Sequence, residues 1–210
     1  MNKRRWIFST VVTAFLLIIG GFLVYQQMIP KPFTEVVAEA KIDGYESGDE
    51  LENASTVIVT GQLEKRGDSI IERASDDAVV GVYRMSTFKI AQVLKNETDD
   101  NLAKEMTIPI YENEGYDAKT NTSYHIAGYT KMEKEEKYLL LLQKDSEDDY
   151  YIPTAVIFGK INLDPNKRNE LFPKNSDTEV AINKVQAEVL KILKRKSTER
   201  INNYVLLHFS

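Results

Sequence analysis

Val79-Val-Gly-Val-Tyr-Arg-Met-Ser-Thr-Phe-Lys-Ile-Ala-Gln-Val93 is the stretch whose reading decides the fold class. It is rich in β-branched and aromatic residues, and Tyr83, Met85 and Thr87 alternate with Arg84, Ser86 and Phe88. A period of two belongs to a strand, because successive side chains leave opposite faces. The apolar set changes parity along the run, so a long strand that changes its buried face midway is expected. Other strands surround it. Ser55 to Gln62 is short and β-branched, with Gly61 at an expected bend or bulge. Met106 to Tyr111 carries Pro109, which moves a strand toward an edge or a bulge. Tyr138 to Leu142 is wholly apolar and reads as a strand buried on both faces. Tyr150 to Lys160 follows it across the acidic turn Asp145-Ser-Glu-Asp-Asp149, completing a hairpin. Short strands joined by polar turns predict a barrel or a sandwich.

The period changes toward the C-terminus. Ser176-Asp-Thr-Glu179 matches a capping box, and Ile182, Val185, Val189, Ile192 and Leu193 form a stripe on one helical face. Lys191, Lys194, Arg195 and Lys196 complement the negative end of that helix. They would serve a partner patch only secondarily to ending a surface helix. Asn203 to Phe209 reads as a last strand returning to the sheet.

Toward the N-terminus, Trp6 to Tyr25 is free of charge and would span roughly 30 Å as a helix, the thickness of a bilayer's hydrocarbon core. Trp6 and Tyr25 stand at its two ends, where amphipathic rings favour the headgroup region. Lys3, Arg4 and Arg5 precede it, which sets the N-terminus in the cytoplasm and the bulk of the chain outside. A cleaved signal peptide would have a shorter apolar run and a small-residue site close behind it. The nearest such triplet, Ala38-Glu-Ala40, lies beyond Pro30 and Pro32, so a retained anchor is the expectation. Gln26 to Glu52, with two prolines, Gly44, Gly48 and an acidic end, reads as a tether. Within it, Glu35 to Lys41 offers one weak helical turn.

The 210 residues suit one anchor and one domain of ordinary size, and a hydrophobic fraction of 42% with 10% aromatics argues against disorder. Mean hydropathy is -0.35. The net charge is -5, and the part beyond the basic tail is more acidic still. Such a surface repels phosphates, so nucleic acid is excluded as a partner. With no cysteine, the chain has no disulfide, thiolate metal site or lipid-bearing Cys. That suits an exterior reached without a disulfide-forming compartment.

Four pieces in order, Ser55-Thr-Val-Ile-Val-Thr-Gly61, Phe88-Lys-Ile-Ala-Gln-Val-Leu-Lys95, His125-Ile-Ala-Gly-Tyr129 and Glu136-Lys-Tyr-Leu-Leu-Leu-Leu142, carry a resemblance. The series resembles uncharacterised exported or membrane-anchored proteins of Gram-positive bacteria. In those, a "dxVVxGxV" strand is followed by "V…VLKG" and a "G…YLLFL" strand. The pattern looks like the OB-like barrel also found in tissue inhibitors of metalloproteinases. Asn96 stands where the family pattern has Gly. The amino-terminal Cys on which metalloproteinase inhibition depends is missing, so that activity is not implied.

The resemblance and the residues together give an α+β chain with a small antiparallel OB-like barrel as its ectodomain. Residues 1–5 are expected to be a cytoplasmic tail and 6–25 a transmembrane helix held in the lipid bilayer. The tether occupies 26–52 and the barrel-like domain 53–163. Residues 164–210 add a C-terminal helix and terminal strand packed on that domain.

Catalytic signatures are sparse. His125 lies between Tyr124 and Tyr129 and reads as a structural histidine more readily than as a proton carrier, and His208 reads as a rim residue. Gly-x-Ser-x-Gly, His-Glu-x-x-His and a phosphate-cradling Gly-rich loop are absent. The acidic turn lacks the ligand spacing of a calcium loop, so neither metal nor cofactor is expected. Tyrosine stands out instead, with 11 in the chain. Tyr111, Tyr116, Tyr124, Tyr129, Tyr150 and Tyr151, with His125, make the expected binding set, weighed against an ordinary role in filling a sheet. The expected function is a non-enzymatic envelope module binding a protein or a wall polymer. The alternative is a hydrolase using His125 or a pair of carboxylates.

Overall fold

The computed structural model describes residues 31–38, 44–164, 166–167, 172 and 176–208, with side chains described to 196. In chain order the elements are β1 (Thr34–Ala38), α1 (Gly48–Ala54), β2 (Val57–Lys65), β3 (Ser69–Arg73), β4 (Val79–Asn96), β5 (Thr107–Glu112), β6 (Glu114–Asp117), β7 (Thr122–Ile126), β8 (Lys137–Lys144), β9 (Tyr151–Pro153), β10 (Lys160–Asn162) and α2 (Asp177–His208). Five of them close a barrel in the order β2-β4-β5-β9-β8, with β8 returning to β2. The β5–β9 contact is parallel, through Ile110 and Tyr151, and the other four seams are antiparallel.

The fold turns on β8, in which every residue from Tyr138 to Leu142 is buried, as the unbroken apolar run predicts. Because side chains alternate, the strand serves two cores at once. Tyr138, Leu140 and Leu142 fill the barrel with Val57, Val59, Phe88, Ile90 and Ile110. Leu139 and Leu141 face outward and pack with Ile58, Ile157, Ile161 and the α2 stripe Ile182, Val185 and Val189. Each fully buried aliphatic side chain stabilises the fold by roughly 1.5–3 kcal/mol. α2 therefore extends the core rather than decorating it.

β4 changes face as expected, though later in the run. Ser86, Phe88 and Ile90 are buried, and the register with β2 then slips twice, between Thr60 and Gly61 and between Ile58 and Val59. Between the two slips Val93 packs on the barrel core, and Leu94, the extra residue at the second slip, packs on the core under α2. Gly61 sits at one slip, where a Cβ would lie 2.1 Å from the Lys89 carbonyl oxygen. Only hydrogen fits between the strands there. Pro109 occupies β5 opposite Thr87, on the strand whose far side carries the short parallel seam.

Three expectations need correction. The stretch Tyr150 to Lys160 is two strands rather than one, since β9 and β10 both pair with β8 while Thr154 to Gly159 turns aside between them. Pro153 and the positive φ angles of Ala155 (48°) and Val156 (56°) break the ladder. On α2, the Gln186 side-chain amide donates to the carbonyls of Ile157, Phe158 and Lys160, clasping this turn.

The C-terminal strand expected over Asn203 to Phe209 is helix through His208. The helix starts as predicted, with the Glu179 amide donating to Ser176 Oγ at 3.2 Å. Nothing stops it, because neither Gly nor Pro follows the basic run. The tether is also more ordered than its composition implies. Where a helical turn is expected from Glu35, β1 is instead a strand paired in parallel with β7, and α1 begins at an N-cap on Ser47 and buries Leu51 under α2.

β1, β7 and β6 form a separate sheet in that order beside the barrel. Trp6 to Tyr25, the expected membrane helix, lies outside the described residues. Among the described residues no helix is long and apolar enough to cross a membrane.

Candidate functional site

Two strands and a turn bring three tyrosine rings into one row. Tyr83 and Met85 of β4 point away from the side that buries Ser86 and Phe88, and Tyr111 of β5 lies opposite Met85 on that outer face. The Tyr83 and Tyr111 rings stack with centroids 4.8 Å apart and planes 15° apart. Tyr150, arriving from the acidic turn, lies 5.8 Å from Tyr111. All three rings are half-buried. Burial, then the neighbouring phenol and Glu72, pushes the Tyr111 hydroxyl up to about 12. Tyr150 is also raised, by burial and then by Asp145. The row is thus flanked by carboxylates, Glu72 at one end and the Asp145–Asp149 turn at the other. Glu72, Glu147 and Asp148 form no ion pair among the described residues.

A concavity of about 610 Å³ opens between the small sheet and the end of the barrel. The face of the small sheet carrying Phe33, Glu35, Ser123 and His125 forms one wall. Glu114 and Tyr116 of β6 add to it, and Arg66, Arg84, Tyr129, Lys131, Glu133, Glu136, Tyr138 and Lys167 are among the residues opposite. His125 Nε2 lies 3.0 Å from Glu35 Oε1, and Nδ1 lies 2.9 Å from the Ile126 carbonyl. Arg84 donates to Glu114 at 2.8 Å and Arg66 to Glu133 at 3.1 Å, and Lys167 pairs with Glu136 at 3.0 Å. The Tyr138 hydroxyl and the Lys167 ammonium hold the Glu136 carboxyl below its ordinary range, against the upward pull of burial.

Beneath the cleft is a buried polar knot. Glu112 is fully buried and accepts from the Ser86 hydroxyl, from Tyr129 at 3.1 Å and from the Met132 amide at 3.0 Å. Burial, and then the Glu112 charge, raises the Tyr129 phenol well above its usual value. Lys160 lies over the Tyr129 ring, its ammonium 3.8 Å from the centroid.

The structure therefore divides the expected binding set. Tyr111 and Tyr150 join the outer row, and Tyr116, His125 and Tyr129 line the cleft. Tyr124 turns to the other face of the small sheet, toward Val36 and Val80. Tyr151 is core, its hydroxyl donating to Asp100. Tyr83 was missed, although its alternation with Arg84 assigns it to the same face as Met85. The cleft's Glu35, Arg66, Arg84 and Glu114 were missed too, because long-range pairing assembles them and no local motif carries them. Among the described residues no cluster of His, Asp or Glu is placed to hold a metal ion. Comparison with known protein families finds no match, and no curated protein matches the chain.

Proposed function

We propose that this chain is a non-enzymatic, membrane-anchored module of the cell envelope, displayed outside the cell, that binds through the outer tyrosine row. The observation that carries the reading is the continuity of Tyr83, Tyr111 and Tyr150 across two barrel strands and a turn from a third. Tyrosine supplies much contact area at little cost in side-chain entropy. The strand order β2-β4-β5-β9-β8 with its parallel β5–β9 seam supports an OB-like barrel, and such barrels take ligands on this kind of face and on the loops beside it. The flanking carboxylates favour a protein or a neutral polymer over a polyanion.

Surface binding to isolated cell walls and to purified envelope proteins, measured with the full chain in detergent, tests the reading. Replacing Tyr83, Tyr111 and Tyr150 together with Ala should weaken binding about tenfold or more, with circular dichroism unchanged. A folded triple variant that binds as well as the parent removes the row from the function.

The alternative, a hydrolase, is favoured by His125 beside Glu35 with Ser123 on the same face of β7. Against it, both imidazole nitrogens already face oxygen acceptors, and Glu35, Glu114, Glu133 and Glu136 each sit beside a basic side chain. Ester or glycoside cleavage that disappears on His125→Ala would reverse the preference.

A further inference from the structure

We propose that the cleft between the small sheet and the barrel is a second binding site, for a short peptide bearing both a free amino and a free carboxyl group. This inference is independent of the outer tyrosine row. The cleft's volume, about 610 Å³, lies within the range that small-ligand sites occupy. Its lining carries acids and bases in balance and interleaved, so it offers no field of one sign to a polyanion, a polycation or a bare metal ion. What it offers is separated charges of both signs. Glu35, 56% exposed, lies on the small-sheet wall, while Lys131 and Lys167, 52% and 54% exposed, lie on the segments flanking β8 and β10.

The deeper pairs are less adaptable. The Arg84 and Glu114 side chains are 13% and 10% exposed, and Arg84 also donates to Gly67 and Ser69. They form a floor that holds its shape, while the half-exposed groups at the mouth have room for a guest. A zwitterion can enter such a mouth as an additional ion pair, its ammonium toward Glu35 and its carboxylate toward Lys131 and Lys167.

Aromatic rings complete the mouth. Phe33 is 64% exposed and Tyr116 42%, and both line this cleft. Among the described side chains these are the two large rings left exposed, and both stand at this concave mouth. They give the uncharged middle of a peptide something to lie on. A free amino acid would leave them uncovered, and a longer chain would leave its own termini outside the mouth.

The full chain in detergent, with tyrosine rings isotopically labelled, should be titrated with the tripeptide Ala-Phe-Ala and with its N-acetylated and C-amidated forms. The free tripeptide should move the Tyr116 signal, and capping either end should weaken binding about tenfold, because one charge-assisted pair is lost. Glu35→Gln should reduce affinity for the free and C-amidated peptides about threefold while leaving the N-acetylated peptide unchanged. Lys167→Met should do the reverse. Both are exposed positions, so the fold survives the change. Phe33→Ala should weaken all three peptides alike. Equal affinity of capped and free peptides, or a response confined to Tyr83, Tyr111 and Tyr150, overturns the proposal. Tyr111→Ala should leave tripeptide binding intact, so failure of the outer row and failure of the cleft are read separately.

Discussion

In β8 of the barrel, Tyr138 through Leu142 are all buried, whereas in β1 of the small sheet every residue from Thr34 to Ala38 is exposed. β8 is hydrogen-bonded along both edges, to β2 on one side and to β9 and β10 on the other, whereas β1 is an edge strand paired only with β7. The fate of the side chains differs as well. β8 is pinned by two apolar cores, while β1 is pinned by β7 and by polar contacts such as His125–Glu35 and Asn121 to the Lys31 carbonyl. Pairing on both edges and burial on both faces together hold β8, β1 has neither, and the cleft is lined by one wall of each kind. The exposed edge strand β1 makes the small-sheet wall the one expected to open first.

That contrast can be broken in four places. Leu140→Ala empties the barrel centre and should cost about 2–5 kcal/mol, read as a lower denaturant midpoint. If it costs no more than a surface change, the barrel core is not what carries the fold. Glu112→Ala strips the Ser86 hydroxyl, the Tyr129 hydroxyl and the Met132 amide of their shared acceptor, with an expected loss of about 1–3 kcal/mol in the same assay.

Acid should act on the small sheet through Asp117, which ends β6 and meets Arg73, the Thr120 hydroxyl and the Lys119 amide. Burial raises this carboxyl, but Thr120, Lys119 and Arg73 outweigh it and hold the value below its ordinary 3.8. A depressed carboxyl contributes stability above pH 3.8 and loses it as pH falls through the lower folded value. Amide exchange across Glu114–Ile126 should therefore accelerate below that range, and no change there would show that the contact is inert. Smallest of all, Glu35→Gln should shift global stability by no more than about 0.5 kcal/mol. It should still quicken exchange in Thr34–Ala38, and a large global loss would mean the small sheet is not the weakly held region.

The sequence makes the barrel legible because its strands are buried. Tyr138–Leu142, Val57–Gln62 and the bulge at Gly61 announce themselves through apolar runs and a misplaced glycine. β1 leaves no such trace, since an exposed strand has no face to hide and Pro30 and Pro32 argue for a tether. α1 did leave one. Ser47-Gly-Asp-Glu50 is itself a capping-box pattern, and the Glu50 amide does donate to Ser47 Oγ at 3.3 Å. The acidic residues that read as solvated tether are the first turn of that helix. Tyrosine enrichment pointed to both candidate surfaces, but their division depended on register. Tyr124 and His125 are neighbours in sequence and face opposite ways, and Glu35 reaches the cleft through a parallel pairing that no local pattern encodes.

The clasp from Gln186 has a practical consequence for anyone who would cut this molecule down. A fragment ending at Leu163 keeps every barrel strand, yet it would expose Leu139, Leu141 and Ile161 to water and leave three carbonyls of the 154–160 turn without their donor. Such a fragment should be insoluble or promptly degraded. Adding a synthetic peptide spanning Ser176–Lys196 during refolding should rescue it. A fragment designed to fold alone should therefore run from the short helix at Gly48 to the middle of the long one, so that Lys196 still reaches Glu52.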